Sequence, residues 1–203
     1  MKIALIGITG RAGSRIAAEL LSRGHQVTGI ARNSGKAAAR PQLTLRDGDA
    51  SRPDTLAPLL QGHDAVVSAT LFEGSDAAPL LQAVRSAGVP RLLVVGGAGS
   101  LEVAPGKALI DAEGFPAAYK AEASAGRDFL NALRQETTIG WTFLSPSAVF
   151  EPGERTGRFR LGGDALLSDA AGNSHISMED YAIALADEIE TPRHTGRRFT
   201  VGY

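Results

Sequence analysis

The chain has 203 residues, of which 43 % are hydrophobic and 21 % charged, and its formal net charge is −1. This length predicts a single domain over residues 1–203, and the balanced charge argues against direct binding of nucleic acid through phosphate neutralisation. Cysteine is absent, which excludes a disulfide scaffold and a cysteine nucleophile and agrees with a reducing compartment.

The first residues have a short apolar run behind one basic residue. Lys2 precedes the run from Ile3 to Ile8, which is shorter than the roughly 7–15 residues of an export-signal core. No later stretch reaches the ~20 apolar residues that a membrane span requires. We therefore expect a cytoplasmic protein that does not bind membranes.

Apolar runs alternate with helical patterns through the first two thirds of the chain. The predicted strands cover residues 2–7, 26–31, 43–46, 64–70, 91–96 and 141–144, and the predicted helices cover 15–22, 52–60, 77–87 and 117–135. Continuous apolar runs that each precede a helix are typical of strands buried on both faces of a parallel sheet. The pattern predicts an α/β fold with a Rossmann-type, doubly wound parallel sheet.

The character of the chain changes after Ser145. Residues 145–175 contain two prolines, five glycines and few apolar runs, so we predict a small, loop-rich C-terminal region on the substrate side of the sheet. A predicted helix over 177–189 follows, with Ser177 as its N-cap and Asp180 three residues later, close to a capping box. Residues 198–201 form a last predicted strand.

Three glycines with the spacing G-x-x-G-x-x-G connect the first predicted strand to the first predicted helix. In this context Gly7 allows the turn, Gly10 lets a diphosphate approach the main chain, and Gly13 lets the helix pack closely on the strand. The helix N-terminus offers free N–H groups and a partial positive charge. The predicted cofactor-binding residues here are Gly7, Thr9, Gly10, Arg11, Ala12 and Gly13. The alternative is a glycine-rich turn that binds no ligand.

This opening resembles the NmrA-like, NAD(P)H-binding branch of the atypical short-chain dehydrogenase/reductase superfamily. The further matches are Gly48-Asp49-Ala50, the segment from Gly62 to Val67, the segment from Trp141 to Pro146 and the segment from Ile176 to Ala182. The resemblance therefore covers essentially the whole chain. It implies a Rossmann-type fold and a nicotinamide dinucleotide, and bacterial members of this branch are described as NADH-flavin reductases. Biliverdin-IXβ/flavin reductase is a related type.

The residues after the second predicted strand favour NADP(H) over NAD(H). Arg32 stands about 20 residues after the last glycine of the loop, where an NAD enzyme usually carries Asp or Glu for the ribose hydroxyl. Its guanidinium can bind a 2′-phosphate, and Ser34 and Lys36 are further candidate donors. No acidic residue lies between Val27 and Asp47. The alternative is a solvated basic loop.

The resemblance implies further cofactor contacts at two other strand ends. Asp49 matches a family residue near the adenine amino group, with Ala50 beside it, and Ser68, Ala69 and Thr70 match residues under the ribose. The second location is also expected because parallel sheets bind ligands beyond the carboxyl ends of their strands. The alternatives are a loop-capping role for Asp49 and a purely structural strand end.

The chain lacks the Tyr-x-x-x-Lys motif by which better-known short-chain dehydrogenases protonate a carbonyl. Ala123 stands four residues after Tyr119, and Leu185 stands four after Tyr181. Hydride transfer to a flavin mainly requires two aligned rings and the exclusion of water. We therefore predict an NADPH-dependent oxidoreductase that acts on a flavin or a quinone-like acceptor. The alternative is a non-catalytic, NADP(H)-binding redox sensor of the NmrA-like type, which binds a regulatory partner.

Two residues are candidates for the catalytic site: Ser100, after the fifth predicted strand, and Tyr119, in the longest predicted helix. A loop N-cap is the alternative for Ser100. Candidate pocket walls, with core packing as their alternative, are Leu71, Phe72, Pro146, Val149 and Phe150.

Other site types find less support in the sequence. The four histidines have no ligand spacing, so we expect no metal site. A sugar-nucleotide epimerase or dehydratase is disfavoured because the region after Ser145 is short for a sugar-nucleotide domain. The sequence leaves the oligomeric state open.

Overall fold

The computed structural model describes residues 1–203. Its strands are β1 (Lys2–Ile6), β2 (Gln26–Ala31), β3 (Leu43–Asp47), β4 (Ala65–Ser68), β5 (Arg91–Val95), β6 (Glu102–Ala104), β7 (Lys107–Ala108), β8 (Gly140–Ser145), β9 (Val149–Glu151), β10 (Arg160–Gly162), β11 (His175–Ser177) and β12 (Arg197–Gly202). Its helices are α1 (Arg11–Ser22), α2 (Pro53–Leu60), α3 (Ala77–Ser86), α4 (Lys120–Leu133) and α5 (Met178–Glu190). None of these helices has the length and apolar character needed to span a membrane.

Eight strands form one sheet in the order β10-β12-β8-β5-β4-β1-β2-β3. Every neighbouring pair is parallel except β10 with β12. From β1 the chain first builds one side of the sheet through β2 and β3 and then the other side from β4 onward. The carboxyl ends of β1 and β4 therefore lie at a topological switch point, where open α/β sheets bind ligands. The predicted Rossmann-type α/β fold is confirmed.

Both faces of the sheet are covered, which explains the continuous apolar runs. Successive side chains of a strand point to opposite faces: Ile3 and Leu5 of β1 join the core beneath α1 and α5, whereas Ala4 and Ile6 join the core beneath α2, α3 and α4. Because α1 and α5 share one face, the helix that follows the glycine loop packs directly against the last helix of the chain.

Several predicted boundaries differ from the observed ones. Helix α1 begins at Arg11, one turn earlier than predicted, because the glycine-rich first turn has no apolar periodicity. The helix predicted over 117–135 is divided into a 3₁₀ turn at Ala117–Tyr119 and α4. The strand predicted over 64–70 ends at Ser68, so Ala69 and Thr70 lie in the following loop. The hairpin of β6 and β7 was not predicted.

The predicted capping box at α5 is half right. Ser177 is the N-cap, and its Oγ accepts a hydrogen bond from Asp180 N at 3.0 Å. The carboxylate of Asp180 does not return to Ser177 N, because it accepts hydrogen bonds from Gly157 N, Thr156 Oγ1 and Tyr203 OH. This buried carboxylate therefore fastens the loop-rich region to α5.

The segment between β9 and β10 lies against α1 and α5. Gly153 N donates to Glu179 Oε2 at 2.7 Å, and Arg155 Nη2 donates to Glu19 Oε1 at 3.0 Å. Glu179 and Glu19 belong to α5 and α1 respectively. These contacts hold the first part of the loop-rich region along the outside of both helices.

Candidate functional site

The loop between β1 and α1 has two glycines that the fold itself requires. Gly7 has a φ of +88°, and a Cβ there would lie 2.4 Å from Ala69 O. A Cβ on Gly13 would lie 2.1 Å from Gly7 O. Any side chain at either position would collide with the main chain, so both residues allow the first turn of α1 to pack tightly against the ends of β1 and β4.

Gly10 differs from the other two glycines. Its φ is −75°, which any residue can adopt, and a Cβ there would lie 3.2 Å from Gly7 O. That contact is tight but needs only a small adjustment. The packing of the chain thus gives a weaker reason for glycine here than at Gly7 or Gly13. A ligand that contacts the main chain at this point would supply the missing reason.

The N-terminus of α1 is left open. Gly10 provides no side-chain cap, and the first turn has no acidic residue. Ser14 N donates to Gly10 O at 3.0 Å, whereas the N–H groups of Arg11, Ala12 and Gly13 have no acceptor in the chain. Three convergent donors and the positive end of the helix dipole make an anion site. These residues fit the diphosphate of a dinucleotide.

The carboxyl end of β4 lies directly beside this loop. Ala69 N donates to Ile6 O at 2.8 Å, and Ser68 Oγ lies 3.2 Å from Thr70 Oγ1. The main chain of Ala69 and Thr70 is the surface that a Cβ on Gly7 would strike. The structure thus brings the predicted ribose-contacting residues next to the predicted diphosphate-binding loop, and their role as ligand contacts remains a prediction.

Arg32 lies at the carboxyl end of β2, on the same edge of the sheet. It is exposed and forms no hydrogen bond or ion pair. Ser34, which was expected to add a donor, is different: its N–H and its hydroxyl both donate to Asp47 Oδ1, each at 2.8 Å. Ser34 therefore has no free donor in this structure, because a carboxylate from the end of β3 occupies both of them, and its contact with a phosphate stays a prediction.

Asp49 and Ala50 follow β3 on the same edge. Asp49 Oδ1 accepts from the N–H and hydroxyl of Ser51 at 2.9 and 2.8 Å, so the loop-capping alternative describes this oxygen. These hydrogen bonds lower the pKa of Asp49 below its ordinary value, and the positive charges of Arg32 and Arg52 act in the same direction. Oδ2 of Asp49 accepts no hydrogen bond, and Ala50 packs against the core.

Ser100 does not present a free hydroxyl. Its Oγ accepts a hydrogen bond from Arg198 Nη1 at 2.9 Å, and the same guanidinium is bound to the carboxylate of Asp164. Arg198 is in register with Phe143 of β8, whose side chain lies in the core beneath α4. The catalytic role of Ser100 stays a prediction, and its observed partner ties the loop after β5 to β12.

Tyr119 is the one tyrosine whose hydroxyl forms no hydrogen bond. Tyr181 OH donates to Leu144 O at 2.7 Å, and burial raises the pKa of Tyr181. Tyr203 OH bonds to Ser177 Oγ. The side chain of Tyr119, in contrast, is 66 % exposed at the entrance to α4. It is therefore the tyrosine that remains available to a substrate.

The position where Tyr-x-x-x-Lys would place its lysine is tightly packed. A Cβ added to Gly99 would lie 2.6 Å from the Cβ of Ala123, so α4 contacts the loop after β5 closely here. Position 123 therefore places a methyl group, and no ammonium group, beside the loop after β5.

Glu122 is a positioning residue that the sequence analysis missed. Its carboxylate accepts from Phe72 N at 2.8 Å and from Glu73 N at 2.7 Å, which fixes the loop after β4 against the first turn of α4. Leu71, just before these N–H groups, is 74 % exposed. Leu71 is thus an exposed apolar residue in a loop that Glu122 fixes to the start of α4. No local pattern around Glu122 signals this role.

The other predicted pocket walls are divided between surface and core. Val149 is 50 % exposed. Phe72 packs in the core with Phe129 at a ring-centroid distance of 5.2 Å, and Phe150 packs on Tyr181 at 4.7 Å. The core-packing alternative therefore holds for these two aromatic residues, while Pro146 is buried at the end of β8.

Comparison with known proteins agrees with this geometry. A family model described as NAD(P)H-binding matches residues 7–192. The protein YwnB of Bacillus subtilis (strain 168) is 41 % identical over 216 residues, which cover 99 % of this chain and 98 % of YwnB.

Solved structures resemble the chain over its whole length. A "putative exported protein" from Burkholderia pseudomallei is 49 % identical, with a TM-score of 0.91 and 100 % of both chains covered. A "putative epimerase" from Bacteroides thetaiotaomicron is 43 % identical, with a TM-score of 0.95, and the match covers 100 % of this chain and 96 % of that one. A "putative NADH-flavin reductase" from Streptococcus pneumoniae TIGR4 is 34 % identical, with a TM-score of 0.87, over 100 % and 99 % of the two chains.

Proposed function

The chain belongs to the NAD(P)H-binding family, and from this premise we propose that it is an NADPH-dependent oxidoreductase that passes hydride to a flavin or a quinone-like acceptor. The observation that carries the proposal is the open start of α1. Three N–H groups there have no acceptor, and the packing of the loop requires the glycine at position 10 less strictly than those at positions 7 and 13.

The preference for NADPH is supported by Arg32. The side chain is exposed, unpaired and placed at the end of β2, on the same sheet edge as the glycine loop. A guanidinium can bind a 2′-phosphate through two parallel hydrogen bonds. Asp or Glu, which would favour the free ribose hydroxyl, does not occur at this strand end.

The type of acceptor is inferred from the exposed apolar and aromatic side chains around the carboxyl ends of β4, β5 and β8. The bound reduced nicotinamide would supply the hydride. Leu71 and Val149 expose apolar surface, and Tyr119 adds an exposed ring. Such groups can hold a flat ring system and exclude water, which suffices when the acceptor stabilises its own added charge. No tyrosine–lysine pair is present to protonate a ketone.

The test is a titration with NADPH and NADH followed by an acceptor screen. Purified protein with NADPH should reduce FMN, FAD or a quinone faster than the protein-free background, with aldehydes as the comparison. Leu71→Asp should raise the KM for the acceptor without changing the Kd for NADPH. Val103→Asp, which alters an exposed apolar residue on β6, is the matched control.

Each outcome of this test separates the hypotheses. Tight NADPH binding with no turnover of any acceptor would contradict the reductase and support a redox sensor. Absence of binding by either nucleotide would contradict both. Turnover of aldehydes in preference to flavins would show that a proton donor other than Tyr-x-x-x-Lys operates.

We further propose that the protein acts in the cytoplasm. The absence of cysteine agrees with a reducing compartment, although the Burkholderia pseudomallei relative bears the description "exported". Fractionation of cells that produce the full chain from its native gene should recover it with cytoplasmic markers, and recovery outside the cell would contradict this location.

A further inference from the structure

The turn after β2 holds a carboxylate at the place where the proposed 2′-phosphate site needs donors. Ser34 starts a 3₁₀ turn, and only 6 % of it is exposed. Its N–H and its hydroxyl both donate to Asp47 Oδ1 at 2.8 Å. Asp47 ends β3 and is in register with Ala31, the residue before Arg32. The carboxylate of Asp47 and the candidate phosphate ligand Arg32 therefore lie at the ends of adjacent strands.

Asp47 has no cationic partner of its own. It forms no ion pair, and its hydrogen bonds come from Ser34 alone. The N–H and hydroxyl of Ser34 lower the pKa of Asp47 below its ordinary value, so the carboxylate stays ionised at neutral pH. Its negative charge is thus not neutralised by an ion pair, and it lies on the same edge of the sheet as Arg32.

From these contacts we propose that Asp47 is a specificity residue that limits the preference for NADPH over NADH, an inference that rests on the proposed function. A serine hydroxyl has one proton to donate, and Asp47 holds it. The carboxylate also repels a 2′-phosphate, whose charge would be added beside it. NADH, which has no 2′-phosphate, meets neither obstacle. Arg32 and Asp47 therefore act in opposite directions, and the chain can use both nucleotides.

The experiment compares Asp47→Asn with the wild type. The amide oxygen still accepts from Ser34 but carries no charge, so the turn is preserved. We expect the Kd for NADPH to fall by about threefold, because the interaction between two exposed charges is weak. The Kd for NADH should stay unchanged. The gain should shrink as salt is raised. Asp54→Asn, an equal charge change on an exposed residue of α2 that forms no side-chain hydrogen bond, is the matched control.

Ser34→Ala tests the hydroxyl separately. In the wild-type background it should leave the Kd for NADPH unchanged, because Asp47 already holds the proton. In the Asp47→Asn background the neutral amide oxygen holds the hydroxyl less strongly than the carboxylate does, so the hydroxyl can turn to the phosphate and Ser34→Ala should remove part of the gain. Affinity for NADH, measured in parallel, reports whether each variant still forms the site.

The inference and the proposed function fail in different ways. A wild type that binds neither nucleotide contradicts the proposed function. A wild type that binds both, with an Asp47→Asn variant whose NADPH to NADH ratio is unchanged, contradicts only the role of Asp47. Weaker NADPH binding in Asp47→Asn would show that the carboxylate supports the phosphate site by ordering Ser34, which also overturns the proposal.

Discussion

The first and last helices pack side by side, yet they begin in opposite ways. Helix α5 starts at Ser177, whose Oγ accepts from Asp180 N, and its first turn carries Glu179 and Asp180. Helix α1 starts at Gly10, without a side-chain cap and without an acidic residue in its first turn. One helix start is completed within the chain, and the other keeps free N–H groups, where we propose that the diphosphate of a dinucleotide binds.

The difference has an energetic meaning. A side-chain N-cap contributes about 1 kcal/mol to a helix, and α1 forgoes that contribution. The close approach of Gly13 to Gly7 and the burial of Ile16 and Leu20 beneath the sheet hold α1 in place instead. An element can thus keep an unsatisfied end when packing along its length compensates.

Replacement of the glycines in the loop before α1 should have the largest effects on stability and on NADPH binding. Gly13→Ala places a methyl group 2.1 Å from Gly7 O, and we expect it to lower the free energy of unfolding by about 3 kcal/mol. Gly10→Ala should cost less than about 1 kcal/mol in stability but weaken NADPH binding by about tenfold or more, because the main chain is no longer accessible. Denaturant unfolding and nucleotide titration measure the two effects.

Each of the two variants serves as the control for the other. If Gly10→Ala unfolded the protein as Gly13→Ala does, the glycine at position 10 would be explained by packing. If both variants bound NADPH as the wild type does, the open start of α1 would not be the diphosphate site.

Arg32→Ala tests the neighbouring strand end. Loss of a charged hydrogen bond to the 2′-phosphate should weaken NADPH binding by about 1.5–3 kcal/mol and leave NADH nearly unaffected. Titration of both nucleotides gives the answer, with Arg46→Ala as a control on the exposed edge strand β3. Equal losses for NADPH and NADH would show that Arg32 does not contact the phosphate.

The sequence predicted those parts of the site that depend on local pattern. The glycine spacing identified the turn and the close contact at Gly13, because such constraints act within a few residues. The alternation of apolar runs and helices identified the α/β fold for the same reason. The start of α1 was predicted four residues late because Arg11 to Ser14 carry no apolar periodicity.

Contacts between distant side chains could not be predicted in this way. Asp47 meets Ser34 across 13 residues, Glu122 meets Phe72 N across 50, and Arg198 meets Ser100 across 98. Each pair is brought together by the order of the strands in the sheet, which no single segment encodes. These are the contacts that changed the interpretation of Ser34 and Ser100.

Removal of the N-cap of α5 tests the other helix start. Ser177→Ala deletes the acceptor for Asp180 N and the hydroxyl that donates to Glu154 O at 2.8 Å. We expect a loss of about 1–2 kcal/mol in the free energy of unfolding and an unchanged Kd for NADPH. Ser22→Ala, which removes a hydroxyl near the end of α1, is the control. A changed Kd would mean that the two helix starts are coupled.

Acidification should lower the free energy of unfolding through the carboxylates at the start of α5, and this is the smallest of the expected effects. Burial raises the pKa of Glu179, but hydrogen bonds from Gly153 N and Arg15 outweigh it, so the pKa lies below its ordinary value of 4.5. A carboxyl group with a lowered folded-state pKa contributes stability that is complete above its unfolded-state pKa and is lost as the pH falls through the folded-state value. Glu179→Gln should therefore flatten the decline in stability below about pH 4.5, by less than about 1 kcal/mol, in urea unfolding across a pH series.

Glu73→Gln, which changes an exposed carboxylate that forms no hydrogen bond, should keep the wild-type slope. Because α1 has no acidic residue in its first turn, an unchanged slope in Glu179→Gln would mean that carboxylates other than Glu179 produce the acid end of the curve.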